Sequence, residues 1–351
     1  MSAERIDLKN LTLPELTETM LQMGEKAFRA KQLYGWMHRS MAAEYEQMSN
    51  LSIALKERLA AEYDHTVLKK ARLQVSKLDG TRKYLFTLPD GNQIESVWMR
   101  YHHGNSVCIS SQVGCRMGCS FCASTLGGLV RSLSAAEMLE QVYAMVRDTG
   151  ERVSNIVIMG IGEPMDNYGN LLKFLHMITD ENGLHISQRN ITVSTCGLAE
   201  EGLSVTLALS LHAVTDEKRR QIMPVAKRYS IAELMEACDC YFAKTGRRIS
   251  FEYSLIAGVN DTAEDAKGLA ALALAHHAHV NLIPVNPVTE RGYREPDRTA
   301  VEAFKKRLEA KQAAVTIRRE MGRDIDSACG QLRRNEMLRD SQAADTGNRN
   351  I

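Results

Sequence analysis

The sequence predicts an α/β fold: an open, partial (βα)6 barrel preceded by an N-terminal helical module and a small antiparallel sheet. Three observations predict it. Six short apolar runs, Ser106–Ser110, Asn155–Met159, Ile191–Ser194, Leu207–Leu211, Ile249–Tyr253 and Val280–Pro284, alternate with amphipathic segments such as Ser134–Val146 and Ala232–Phe242. That alternation is the pattern of parallel strands with helical crossovers. Residues 67–101 instead follow a period of two, and residues 12–63 a helical period.

In chain order, Thr12 offers a helix N-cap before Leu13, Leu16, Met20 and Met23 at helical spacing. Phe28, Leu33, Trp36 and Met37 form a second stripe, and Leu51, Ile53, Leu55 and Leu59 a third. Such stripes face a core. Lys26, Arg29, Lys31, His38 and Arg39 lie between them, as phosphate contacts or as a solvated face. Leu73, Val75, Tyr84–Phe86 and Ile94–Met99 read as strands, with hairpin signals at Asp79-Gly80 and Asp90-Gly91. Val315–Ile317 adds a late strand. The expected divisions are a helical accessory domain (1–66), a β extension (67–104), the barrel (105–300), a C-terminal segment (301–338) and a disordered tail (339–351).

At 351 residues, one large domain plus a smaller one is expected. With 44 basic and 43 acidic residues, overall charge does not drive nucleic-acid binding, so any RNA contact must be a local basic patch. Lys305–Arg307, Lys311, Arg318, Arg319, Arg333 and Arg334 are candidates. No apolar run approaches the roughly 20 residues of a membrane span. Eight cysteines without a signal sequence suit a reducing cytoplasm, where thiols serve metal binding and redox chemistry.

Cys115, Cys119 and Cys122 form a C-x3-C-x2-C triplet just after the first barrel strand. Three thiolates can hold three corners of a [4Fe–4S] cluster and leave one iron open, as in radical S-adenosylmethionine (SAM) enzymes. Zinc with a fourth ligand from His102 or His103 is a competing reading, as are three structural cysteines. The second strand ends in Gly160-Ile161-Gly162-Glu163-Pro164, where glycines admit a close ligand and a carboxylate can receive an ammonium group. Ser194, Ser210, Leu211, His212 and Asn286 end later strands at the same mouth. Cys108 and Cys329 stand apart, Cys329 in a small, Gly-flanked context that suits a reachable thiol, though an ordinary surface cysteine competes. Cys196, Cys238 and Cys240 carry no comparable context.

Taken together, Cys115–Thr125, Gly160–Pro164, Ser210–Ala213, Val280–Pro287 and Asp326–Leu332 resemble the radical-SAM adenine-C2 RNA methyltransferases, over nearly the whole chain. The resemblance implies a radical-SAM barrel with Cys115, Cys119 and Cys122 on one [4Fe–4S] cluster. It implies Gly162, Glu163, Ser194, Ser210, Leu211, His212 and Asn286 around SAM, two of which are consumed per turnover. Cys329 would carry the methyl group, Cys108 would resolve it through a transient disulfide, and Glu95 would accept the C2 proton. The implied substrates are adenosine 2503 of 23S rRNA and adenosine 37 of some tRNAs, with flavodoxin or ferredoxin as electron donor, for a cytoplasmic monomer. Related C8 methyltransferases share the cysteines but typically carry Ala where this chain has Pro164. A zinc-stabilised RNA-binding protein is the reading from another class.

Overall fold

The computed structural model describes residues 5–197, 205–288, 291–326, 328–336 and 338–339. Ser327 and residues 340–351, the bulk of the expected tail, lie outside the described residues.

Thr12 caps α1 (Leu13–Gln22), its amide and hydroxyl both donating to Glu15, at 2.7 and 2.9 Å. Helix α2 (Ala27–Tyr34) runs into a π-turn over Gly35–Arg39, and Ser52 caps α3 (Ile53–Glu62). Leu16, Met20, Leu33, Met37, Leu55 and Leu59 are buried as their spacing predicts. Two members of the predicted stripes are not: Phe28 is 52% exposed and Ile53 is 75% exposed. Both sit in the first turn of a short helix, where the apolar arc runs past the surface it packs on. His38 is not a phosphate contact. It is fully buried, with Nδ1 3.0 Å from the Tyr143 hydroxyl.

Strands β1 (Lys69–Val75), β2 (Arg82–Thr87) and β3 (Gln93–Tyr101) form the predicted antiparallel hairpins. They do not stand apart as a separate sheet. β3 pairs antiparallel with β4 (Gly104–Cys108), the first barrel strand, so one sheet continues through both. A two-stranded ladder that the sequence pattern did not reveal follows, β5 (Gln112–Gly114) with β6 (Leu129–Ser132), and brackets the cysteine loop. The barrel proceeds as α4 (Ala135–Thr149), β7 (Val153–Ile158), α5 (Tyr168–Thr179), β8 (Ile191–Thr195), β9 (Thr206–Ser210), α6 (Asp216–Ile222), α7 (Ile231–Thr245), β10 (Ser250–Leu255), α8 (Ala263–Ala275), β11 (His279–Pro284), α9 (Arg298–Ala310) and β12 (Val315–Ile317). The sheet order is β1-β2-β3-β4-β7-β8-β9-β10-β11-β12, parallel from β4 onward. It therefore opens at β12 rather than closing.

The core of the N-terminal helices is continuous with that of α4, α5 and the first barrel strands. A buried ion pair, Lys9 Nζ to Glu140 Oε2 at 2.8 Å, ties the helical unit to α4. A second core packs α7, α8 and α9 on β9–β11. All parallel strands point their C-terminal ends at one mouth, where loops carry chemistry in this architecture.

Candidate active site

Two cavities meet at that mouth and share Phe121, Cys122, Ile283 and Arg318 as their common wall. The inner one is lined by Cys115, Cys119 and Cys122, and across from them by Gly162, Glu163, Ser194, Ser210 and His212. The cysteine loop is shaped by its own backbone. Cys115 N–H donates to Gly128 at 2.9 Å, and the Thr125 hydroxyl donates to the carbonyls of Cys122 and Cys119, at 2.9 and 3.2 Å. Burial pushes all three thiols up, Cys115 to about 12, so proton loss there needs a metal.

The donor set fits a cluster. Cys115, Cys119 and Cys122 line one cavity from a single loop, and three thiolates are the donors that cluster iron takes. His102 and His103 sit in the β3–β4 turn, at the far end of β4 from the triplet.

Glu163 fits the ammonium of SAM. Its carboxylate is buried and accepts from Thr195 Oγ1 (2.6 Å), Met165 N (3.0 Å), Cys196 N (3.1 Å) and Cys196 Sγ (3.0 Å). None of these partners is cationic, so the buried charge calls for one. Gly162 lets the Glu163 turn pack tightly against the start of β5. Its φ is +109°, and a Cβ there would lie 2.6 Å from the Gln112 side chain. His212 has φ +57° and is buried, which pushes it down to about 3 and keeps it neutral. Its Nδ1 accepts the Ser254 amide at 2.9 Å, so the proton is on Nε2, free to donate.

The outer cavity is lined by Cys108, Cys329, Asn286, Arg318, Arg319 and Gln331. Cys108 ends β4 and Cys329 arrives from the C-terminal segment, 221 positions away in sequence, and both line this one cavity. The Cys329 thiol donates to the Met159 carbonyl at 3.4 Å. The two cysteines titrate together: the neighbouring Cys329 and burial raise Cys108, and the neighbouring Cys108 lowers Cys329.

Not every predicted residue faces the cavity expected of it. Asn286 lines the outer cavity, not the one holding Ser194 and Ser210. The Leu211 side chain is core, and its carbonyl accepts from Arg219. Glu95 lines neither cavity; it lies beneath the Cys329 segment with both carboxylate oxygens engaged. Sequence reasoning missed three residues: Cys196, which grips Glu163; Glu252, buried on the inner wall; and Lys83. A place in Ser194-Thr195-Cys196-Gly197, at a barrel strand's end, is all that sets Cys196 apart in sequence, and nothing in its type marks it as the partner of a carboxylate. Arg318, named from the sequence as a candidate RNA contact, stands between the cavities.

Residues 6–64 match the ribosomal RNA large subunit methyltransferase N-terminal domain, and residues 109–272 the radical SAM superfamily. A probable dual-specificity RNA methyltransferase RlmN from Lachnoclostridium phytofermentans is 58% identical, covering 94% of this chain and 95% of the relative. The chain belongs to the RlmN family. Another member, from Lachnospira eligens, is 57% identical over 97% of this chain and 99% of the relative. A crystal structure of a radical SAM methyltransferase from Sphaerobacter thermophilus superposes with a TM-score of 0.89 at 41% identity, covering 93% and 98% of the two chains. The protein is thus a radical-SAM methyltransferase that uses a [4Fe–4S] cluster and SAM.

Proposed function

We propose that this enzyme methylates C2 of an adenine in RNA, both in 23S rRNA and in some tRNAs, with Cys329 as methyl carrier and Cys108 as resolving thiol. The observation that supports this most is that Cys108 and Cys329, distant in sequence, line one cavity that shares a wall with the cluster cavity. Adenine C2 is electrophilic, so it resists direct polar transfer from SAM and needs a carbon radical. The bound cluster and SAM supply one-electron hydrogen-atom abstraction.

The protein's own residues do the rest. Cys115, Cys119 and Cys122 hold the cluster, and Glu163 takes the SAM ammonium. Ser194, Ser210 and His212 orient the remainder of SAM, with Leu211 packed in the core behind them and Asn286 facing from the adjoining outer cavity. Cys329 gives up its proton and accepts a methyl group from SAM, which leaves as S-adenosylhomocysteine. After carbon–carbon bond formation the C2 proton leaves, with Glu95 as acceptor once its present partners release it. The Cys108 thiolate then attacks the Cys329 sulfur. The sulfur–carbon pair leaves on carbon, which takes up a proton to become the methyl group, and the two sulfurs stay joined as a disulfide. The adduct's unpaired electron departs in a one-electron exchange that the cluster would supply when bound. Two SAM are consumed per turnover.

The domain reading follows from the same proposal: a helical RNA-binding unit (1–66), a β extension (67–104), the catalytic barrel (105–300) and a carrier segment (301–338). Exposed Phe28 lies under the Arg29 guanidinium, 5.0 Å from its ring centre, with exposed Lys26 and Lys31 nearby. An aromatic among cations suits unpaired RNA bases and phosphates. No helix among the described residues is long and apolar enough to cross a membrane. We place the enzyme in the cytoplasm as a monomer, reduced by flavodoxin or ferredoxin.

The test is intact mass spectrometry of wild type and Cys329→Ala, followed by anaerobic turnover on an rRNA fragment with methyl-labelled SAM. A methyl increment on Cys329 and 2-methyladenosine only with wild type are expected. Undiminished turnover by Cys329→Ala would refute the carrier role, and 8-methyladenosine would refute the regiochemistry.

A further inference from the structure

Lys83, on β2, takes no part in the chemistry above, yet it is fully buried. A buried ammonium persists only where fixed partners replace its water. Its partners all belong to the carrier segment or to that segment's anchor. Nζ donates to the carbonyls of Asp326 and Ala328 and pairs with Glu95 Oε2 at 3.0 Å. Across the β2–β3 ladder, Lys83 stands opposite Val97 and Leu85 opposite Glu95, so Lys83 and Glu95 are diagonal neighbours on one face.

Glu95 continues the grip beyond Cys329. Its Oε2 accepts the Gly330 amide and its Oε1 the Arg333 amide, each at 2.6 Å. The two side chains thus hold the segment on both sides of Cys329: Asp326 and Ala328 before it, Gly330 and Arg333 after it. A segment without regular strand or helix pairing around its thiol would, if released, sample many positions. Held at these points, it rests the sulfur beside Cys108 and Met159.

We propose that Lys83 is a positioning residue for the carrier thiol, the pin of a two-residue latch with Glu95 that seats Cys329 against Cys108. This rests on the reading of Cys329 as carrier. It also divides the work of Glu95 in time. While the segment is seated, neither carboxylate oxygen is open to a substrate proton. Anchoring the segment and accepting a proton are therefore alternative states of one side chain.

The test uses full-length protein, anaerobically loaded with iron and sulfide, as wild type, Lys83→Met and Lys83→Arg. Cys329 methylation by SAM is followed by peptide mass spectrometry. Separately, the two-electron oxidant diamide takes the two thiol hydrogens, and the rate of Cys108–Cys329 disulfide formation is measured. Lys83→Met is expected to keep its cluster and SAM affinity but to lose roughly tenfold or more in both rates, as small misplacements do. Lys83→Arg, which keeps charge and donors, recovers most of both. Wild-type rates in Lys83→Met overturn the latch. Should Lys83→Met not fold, Glu95→Gln decides: amide exchange over 328–336 must rise about tenfold, because the charged acceptor is gone, and unchanged exchange overturns the proposal. A wild type that never carries methyl on Cys329 instead sinks the carrier reading, while the disulfide rates still test the latch by themselves.

Discussion

Glu163 is a buried carboxylate surrounded by neutral donors. Such a charge weakens the empty protein and strengthens the loaded one. Glu163→Gln is therefore expected to move two observables in opposite directions. SAM affinity, measured by equilibrium dialysis, falls by roughly 30-fold or more, about 2 kcal/mol. The thermal midpoint without SAM rises. A parallel fall of both would mean that the carboxylate serves the fold and not the ligand. Much of this site was legible in the sequence, because glycine and glutamate at a strand end carry their chemistry in their types. Cys196 was not, because a thiol that orients a carboxylate looks like any buried cysteine until the carboxylate is in place. Lys83 was equally hidden. A lysine in a strand reads as a solvent-facing residue, and its burial depends on carbonyls 243 and 245 positions away.

At the scale of elements, the barrel strands were readable because each is a short apolar run between turn signals. The join of β3 to β4 was not, since both hairpin and barrel rules permit an end there, and only the pairing of Val97 with Cys108 decides it. The exposed Phe28 and Ile53 show the limit of periodicity: it gives the apolar face of a helix but not how far the neighbouring surface extends. The carrier segment offers an element-level prediction. Gly330 has φ +81°, and a Cβ there would lie 3.0 Å from the Ser124 amide nitrogen in the cysteine loop. Gly330→Ala should cost about 1–2 kcal/mol, from left-handed backbone and crowding together. The cost falls on the seated segment, so amide exchange at 328–336 should rise while the rest of the barrel keeps its protection. Uniform loss of protection would argue against a separately seated segment.

At the scale of the whole molecule, three histidines, two buried and one half-buried, tie stability to pH. His38, His65 and His212 are all pushed down by burial, His65 and His212 to about 3. Unfolded, each protonates near 6.5. Between pH 6.5 and 3 the unfolded chain binds more protons, so stability falls with pH in that window, by up to about 1.4 kcal/mol per unit for each histidine. The thermal midpoint, followed by circular dichroism, should be flat above pH 7 and drop towards pH 5.5, with His65→Gln removing about one third of the slope. A midpoint insensitive to pH over this range would show these side chains to be hydrated in solution. The sheet itself carries a different consequence. Because it opens instead of closing, it keeps two rims of unsatisfied backbone, the usual invitation to aggregate by strand addition. One rim is β1, bearing Lys69, Lys70 and Arg72, and the other is β12, only three residues long. Repulsion guards the first and brevity the second, so the chain can leave its barrel open for a large substrate without recruiting copies of itself into fibres.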